Sequence, residues 1–329
     1  MESVKVLVTT VIGDELLQQI RDVSPRIQVS DASKLVHGEE KGDLSGKAEL
    51  DALLAEAEVI YGLWLPKNVV ARAPKLKWVQ MMFAGVDSFL DQFRESPVMM
   101  TSVSGIHAVP ISEVVFELML MFAKRAPLCF QLKQERRWMR FTPAVLCSKT
   151  VGIVGLGSIG KEVARLAKAF NMRVIATRRS VKKERRARYV DVLLPREQLP
   201  RLLSESDFVV LSLPLTPETK KLIGEKELRT MKPTAYLINV ARGDIVDEEA
   251  LLRALEEKWI AGAGLDVFST EPLPVDSRFW ELPNVIISPH IAGVMEDYFV
   301  RATGLFCENL RRYVSGERLI NLVDKNKGY

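Results

Sequence analysis

The run Gly155-Leu156-Gly157-Ser158-Ile159-Gly160 constrains this chain more than any other stretch. It follows an apolar segment, Thr150–Val154, and opens a helical pattern over Ile159–Phe170, with a second strand-like segment at Arg173–Ala176. A glycine string alone is weak evidence. Strand, glycine turn and helix within one βαβ unit, however, form the context in which such a string holds a dinucleotide. The glycines permit a tight turn, close approach of a pyrophosphate and close packing of helix on strand. The helix amino terminus adds unpaired N–H groups and the positive end of a dipole. All six residues, Gly155 through Gly160, are candidate cofactor contacts.

The end of the second strand selects between cofactors. An NAD-binding fold places Asp or Glu there, about 20 residues past the loop, to meet the ribose hydroxyls. Here the segment reads Ala176-Thr177-Arg178-Arg179-Ser180, with no acid. Guanidinium groups bind phosphate through paired hydrogen bonds. Arg178 and Arg179 therefore predict a 2′-phosphate and NADP, with NAD possible. Lys182, Lys183, Arg185, Arg186 and Arg188 continue as a solvated basic loop.

Short apolar segments alternate with helical ones on both sides of this unit. Val4–Thr9, Val59–Trp64, Trp78–Met82 and Val98–Thr101 read as strands before it, and Glu15–Ile20 and Leu50–Glu56 as helices. Phe208–Leu213, Ala235–Asn239, Ala263–Asp266 and Val285–Ile287 read as strands after it, with helices at Glu248–Glu257 and about Asp297–Val314. Such alternation predicts an α/β protein with doubly wound parallel sheets. Residues 111–140 break the rhythm with a long helical pattern from Ile111 and a basic stretch, Arg136–Arg140, around Trp138.

With 329 residues the chain has room for two domains. A net charge of +4 does not suggest nucleic acid as a partner. Cys129, Cys147 and Cys307 are odd in number and lack metal-ligand spacing, so no metal is expected and free thiols in a reducing, cytoplasmic compartment are. The start carries Glu2 and lacks the pattern of a signal peptide. The longest apolar run, Val114 to Ala123, is interrupted by Glu117 and is about half of the ~20 residues that span a bilayer, so no membrane is expected.

Three later fragments carry an arginine, a glutamate and a histidine in that order: Arg242 in NVARGDIVDEEAL (Asn239–Leu251), Glu271 in GLDVFSTEPLP (Gly264–Pro274) and His290 in PHIAG (Pro289–Gly293). A planar cation, a carboxylate and an imidazole suit the reduction of a keto acid, because an imidazole with a pKa of about 6.5 exchanges protons near neutral pH. These segments resemble the signatures of the D-2-hydroxyacid dehydrogenases, and Pro214-Leu215-Thr216-Pro217-Glu218-Thr219 resembles another. The resemblance runs from about Ala73 to the last helix.

The resemblance implies two Rossmann-like, flavodoxin-like domains, with the nucleotide domain inserted in the substrate domain. Residues 1–101 with 295–329 would form the substrate domain, and 102–294 the dinucleotide domain. It implies that Arg242 grips the substrate carboxylate and keto oxygen, that His290 gives the proton, and that Glu271 orients His290. Asp266 is carried over beside the nicotinamide carboxamide, and Pro214, Thr219, Ala241, His290 and Gly293 as cofactor neighbours. In Met82-Phe83-Ala84-Gly85-Val86-Asp87 the resemblance assigns the amides of Ala84 and Gly85 to the substrate carboxylate, in a cleft between domains. Trp64 or Leu65 lines the pocket wall, with core packing the alternative for Trp64; Trp138 is a site, interface or core residue; His107 is structural; His37 is a surface loop residue.

Reduction of a small 2-keto acid of glyoxylate or hydroxypyruvate type by NAD(P)H is the implied activity, in a homodimer built on the 111–140 segment. A nucleotide-sensing corepressor-like scaffold and a formate- or phosphite-type dehydrogenase are the alternatives. Two departures from the family pattern are Ser269-Thr270, where acids are common, and Val294-Met295, where a polar residue is usual.

Overall fold

The structure is a computed structural model and describes residues 3–86 and 89–326. Glu2 and Asp87 lie outside the described residues. The chain divides into two compact units, one made of residues up to Ile106 together with those from Met295, the other of His107–Val294.

In the first unit β1 (Val4–Val8), β2 (Ile27–Asp31), β3 (Val59–Gly62), β4 (Trp78–Met81) and β5 (Met99–Thr101) form a parallel sheet in the order β2-β1-β3-β4-β5. That order is the flavodoxin-like winding. Its connections are α1 (Asp14–Arg21), α2 (Ser33–Glu40), α3 (Lys47–Glu56), α4 (Val69–Arg72) and α5 (Leu90–Phe93). Leu7, Ile60 and Val79 pack on one face with Leu50 and Leu54 of α3. Val6, Val59, Tyr61 and Trp78 pack on the other with Phe306 and Leu310 of the last helix, Tyr298–Ser315. Burial on both faces explains why the central strands read as apolar runs. A buried polar chain ties the last helix to the sheet. Trp78 Nε1 donates to Thr101 Oγ1 at 2.7 Å, and Thr101 Oγ1 and Asn309 Nδ2 donate to Gln80 Oε1 at 2.8 and 2.9 Å.

Two local expectations are corrected here. Edge strand β2 was not expected, because Gln28, Ser30 and Asp31 blur its apolar pattern. His37 is exposed as expected, but it lies within helix α2 rather than a loop.

The second unit opens with α6 (Ala108–Lys124) and α7 (Ala126–Gln134), so the long helical pattern is two helices broken at Arg125, which takes a left-handed φ of 53°. Then follow β6 (Thr150–Val154), α8 (Ser158–Ala169), β7 (Arg173–Thr177), β8 (Arg185–Ala187), β9 (Val190–Leu194), α9 (Leu199–Glu205), β10 (Phe208–Leu211), α10 (Glu225–Thr230), β11 (Tyr236–Asn239), α11 (Glu248–Glu256), β12 (Gly262–Leu265) and β13 (Val285–Ile287). The sheet order is β13-β12-β11-β10-β6-β7-β9-β8, parallel throughout except for the β8–β9 hairpin. Without β8 this is the dinucleotide-binding order, with its switch point between β6 and β10. The basic stretch after Lys182 is therefore not simply a loop: Arg185–Ala187 forms an exposed, charged edge strand, a common guard against edge pairing.

Candidate active site

Val154, Thr177, Leu194, Leu211, Asn239, Leu265 and Ile287 are register partners across neighbouring strands of the second sheet. They form one row at its carboxyl edge, where open α/β sheets bind their ligands. Most of the candidate residues in this unit follow that row within a few positions.

At β6 the backbone turns at Gly155, whose φ of +98° is a conformation only glycine adopts freely. The N–H groups of Gly155 and Leu156 donate to Thr177 O, and Ser212 Oγ donates to Gly155 O at 2.8 Å. A Cβ on Gly160 would stand 2.3 Å from Gly155 O, so α8 lies directly on the turn. A Cβ on Gly157 would meet nothing within 4 Å. One glycine shapes the turn, one seats the helix and one leaves the space a pyrophosphate needs, so the residues present fit a dinucleotide. The Leu156 side chain points into the core, Ile159 packs against it, and Gly157 and Ser158 are exposed. In the loop after β10, Thr219 Oγ1 donates to Pro214 O at 2.8 Å and accepts from Thr216 N at 2.7 Å, closing the turn. Arg178 and Arg179 are exposed where β7 ends.

At the other end of the row, a compact network holds the histidine. His290 Nδ1 lies 2.6 Å from Glu271 Oε2, and Glu271 Oε1 accepts from Phe268 N at 2.9 Å. His290 has a φ of 54°, and its N–H donates to Asp266 O at 2.8 Å. Asp266, only 2% exposed, is the post of the loop. Its Oδ1 accepts from Ser288 Oγ at 2.6 Å and Ile291 N at 3.0 Å, and its Oδ2 accepts from Ala292 N at 3.1 Å. This anchoring was missed in the sequence, where Asp266 stood only as a cofactor neighbour. Glu271 thus occupies Nδ1 of the ring and leaves Nε2 as its other nitrogen.

The arginine turn is clamped by Asn239: its Oδ1 accepts from Ala241 N at 3.1 Å and its Nδ2 donates to Arg242 O at 2.9 Å. Arg242 Nη1 donates to Ala241 O at 2.7 Å. A Cβ on Gly243 would stand 1.9 Å from the Phe268 carbonyl carbon, so the arginine turn lies against the loop that carries Glu271. His107, at the start of α6, is the neighbour that sequence reasoning left out of the site. It is 9% exposed, and a Cβ on Gly293 would stand 2.9 Å from its Cδ2. Burial, then the nearby Arg242 guanidinium, pull the His107 pKa down to about 4, so it is neutral at pH 7. It carries no motif, and its separation in sequence from Arg242 hid it.

The first unit places Ala84, exposed, and Gly85, partly exposed, in the loop after β4. That loop is held at its base by Met82 N donating to Gly62 O at 3.0 Å and by Tyr298 Oη donating to Met82 O. Trp64 is 47% exposed and meets Phe83 edge-on at 6.1 Å between ring centroids, so it is not core. Leu65 packs at the margin of the core. Trp138 is 94% exposed, which removes the core reading for it as well.

A glycine turn and an acid–base pair on one carboxyl edge are the layout of an oxidoreductase that works with a dinucleotide. Residues 116–292 match the model of the D-isomer specific 2-hydroxyacid dehydrogenase NAD binding domain. The chain is 38% identical over 269 residues to the glyoxylate reductase of Korarchaeum cryptofilum, covering 78% of this chain and 79% of that one. A D-isomer specific 2-hydroxyacid dehydrogenase from Xanthobacter autotrophicus Py2, solved with NADPH and MES, matches with a TM-score of 0.84 and 31% identity over 100% of both chains. The NADPH-dependent glyoxylate/hydroxypyruvate reductase of Sinorhizobium meliloti, solved with NADP and sulfate, matches at 0.82 with 29% identity, covering 99% of this chain and 100% of that one. The chain belongs to the D-isomer specific 2-hydroxyacid dehydrogenase family.

Proposed function

We propose that this protein reduces a small 2-keto acid of glyoxylate or hydroxypyruvate type to the D-2-hydroxy acid, with NADPH preferred over NADH. The observation that carries the reading is the Glu271–His290 pair at 2.6 Å, on a loop anchored by Asp266, beside the Arg242 turn. The bound nicotinamide supplies the hydride. Arg242 takes the substrate carboxylate and keto oxygen on its planar fork, the geometry that suits bidentate binding. His290 Nε2 gives the proton that the keto oxygen needs, and Glu271 on Nδ1 fixes the ring so that Nε2 is aimed at it. Ala84 and Gly85 N–H groups are the proposed second hold on the carboxylate. Arg178 and Arg179 carry the NADP preference, with support from the NADP-bound relatives.

Residues 1–101 with 295–329 serve as the substrate domain and 102–294 as the dinucleotide domain in this reading. Exposed Phe130, Trp138 and Met139, within residues 111–140, are the proposed seat of a homodimer. Exposed free Cys129 and Cys147 fit a reducing cytoplasm. No helix among the described residues is long and apolar enough to cross a membrane. The test is the initial rate of NADPH and NADH oxidation with glyoxylate, hydroxypyruvate, pyruvate and a bulkier keto acid. NADPH turnover with the smaller acids is expected. Tight NADPH binding with no turnover of any keto acid would sink the reading. Sedimentation showing a monomer at micromolar concentration would remove the homodimer.

A further inference from the structure

We propose that Arg196 is a third guanidinium of the 2′-phosphate subsite, and that Glu218 is the counter-charge the phosphate displaces there. Together they set the preference for NADPH over NADH beyond what Arg178 and Arg179 set alone. The proposal rests on the NADP reading above.

The register places Arg196 there. Thr177 and Leu194 are partners across β7 and β9, and Arg178 N donates to Leu194 O at 3.2 Å. Arg178 and Arg196 therefore leave the sheet from the ends of adjacent strands. Pro195, between Leu194 and Arg196, is buried, which fixes the exit direction of Arg196. Unlike the exposed Arg178 and Arg179, Arg196 is half-buried, and its Nη2 donates to the backbone carbonyl of Glu218 at 2.5 Å. One arm of the fork is thus held by the loop after β10. A guanidinium carries five N–H donors, so others remain for an anion.

Glu218 brings an anion to the same place. Its Oε2 accepts from Thr216 Oγ1 at 2.7 Å, within the turn that Thr219 closes onto Pro214. The Thr216 hydroxyl and the residue's own backbone N–H hold its carboxyl below the usual carboxylate range, and the Arg196 and Arg179 guanidinium groups add to this. The carboxylate is therefore ionised and stands in the field of both arginines. A phosphate, with more charge and three acceptor oxygens, outcompetes a single carboxylate for such donors. NADH brings no phosphate, so it gains nothing from displacing Glu218.

The test is binding of NADPH, NADH and adenosine 2′-phosphate, measured by fluorescence titration and calorimetry. It compares wild type with Arg196→Gln, Arg196→Lys and Glu218→Gln, with Arg178→Asp as a control. Arg196→Gln is expected to weaken NADPH and adenosine 2′-phosphate about tenfold, the scale of one charge-assisted hydrogen bond, while NADH stays within about twofold. Arg196→Lys recovers part of that loss. Glu218→Gln tightens NADPH severalfold and leaves NADH unchanged. The proposal is overturned if Arg196→Gln leaves NADPH unchanged or weakens both cofactors equally, or if Glu218→Gln weakens NADPH. Should that happen while Arg178→Asp still removes selectivity, the NADP reading stands and only the Arg196–Glu218 assignment falls. Should Arg178→Asp have no effect either, the NADP reading falls too.

Discussion

The two ends of the carboxyl row in the second sheet are built on opposite principles. At the β11–β12–β13 end, buried Asp266 and Asn239 fix short turns through side-chain-to-backbone bonds, and glycines let neighbouring backbones touch. At the β7–β9 end, Arg178 and Arg179 are exposed at the strand end, and Arg196 is half-buried with one arm on the Glu218 carbonyl. Proton transfer needs a ring aimed at one atom, which only a tightly bonded loop supplies. Discrimination of a phosphate needs charge at short range, which flexible side chains supply well enough. The first end should therefore respond to perturbation with large losses of rate and stability, the second with modest, salt-dependent changes in binding.

The largest expected effect is at His290. His290→Asn keeps a hydrogen bond to Glu271 but removes the proton donor, and kcat should fall about 10³-fold with cofactor binding kept. Steady-state rates and an NADPH titration on one sample check both halves, and a loss below about tenfold would break the contrast. Next is Asp266→Ala, which strands the Ser288 hydroxyl and the Ile291 and Ala292 N–H groups. A loss of about 3 kcal/mol in denaturant unfolding should accompany the loss of rate. Stability within about 0.5 kcal/mol of wild type would mean that the loop is held by something else.

The contrast also explains what the sequence made legible. Fully buried central strands such as Val59–Gly62 and Phe208–Leu211 announce themselves, because both faces are apolar. Edge strands β2 and β8 do not, since one side meets water and charge. The glycine turn reads directly from local spacing, because the residues that shape it stand within one short run, although it is held by Thr177, Ser212 and Leu213 at the ends of neighbouring strands. Asp266 was legible as a residue of a motif but not as an anchor, because its hydrogen-bonding partners lie 22, 25 and 26 positions away. Gly243 was visible within NVARG, but its closeness to Phe268 is a fact of packing alone. His107 carries no pattern that separates it from a core histidine, and only its neighbours Gly293 and Arg242 draw it toward the site.

His107 sharpens the same comparison through pH. Its folded pKa of about 4 lies below the ordinary value, so the unfolded chain takes up this proton first as pH falls. Its contribution to stability is therefore present near neutral pH and is lost on acidification from about pH 6.5 toward 4. The loss should reach about 2.5 kcal/mol by pH 4.5, and His107→Gln should lack this component. Denaturant unfolding of both proteins at pH 7 and pH 4.5 measures it. Equal acid sensitivity in the two would show that the imidazole is not kept neutral beside Arg242.

The smallest effect is expected at the outer basic hairpin. Ala187 pairs with Val190, at the start of β9, while the carboxyl row passes through Leu194 at its end. Four steps of about 3.3 Å put that end of the hairpin roughly 13 Å from the row. That exceeds the Debye length of about 8 Å at physiological salt. Arg188, in the turn beyond Ala187, is exposed and stacks on the Tyr189 ring at 4.9 Å. Replacing it by Gln should therefore leave the NADPH Kd within about twofold at 0.15 M salt, with any larger shift appearing only at low salt. A tenfold loss at 0.15 M salt would extend the phosphate end of the row into the hairpin, and the soft half of the site would then be a field rather than a subsite.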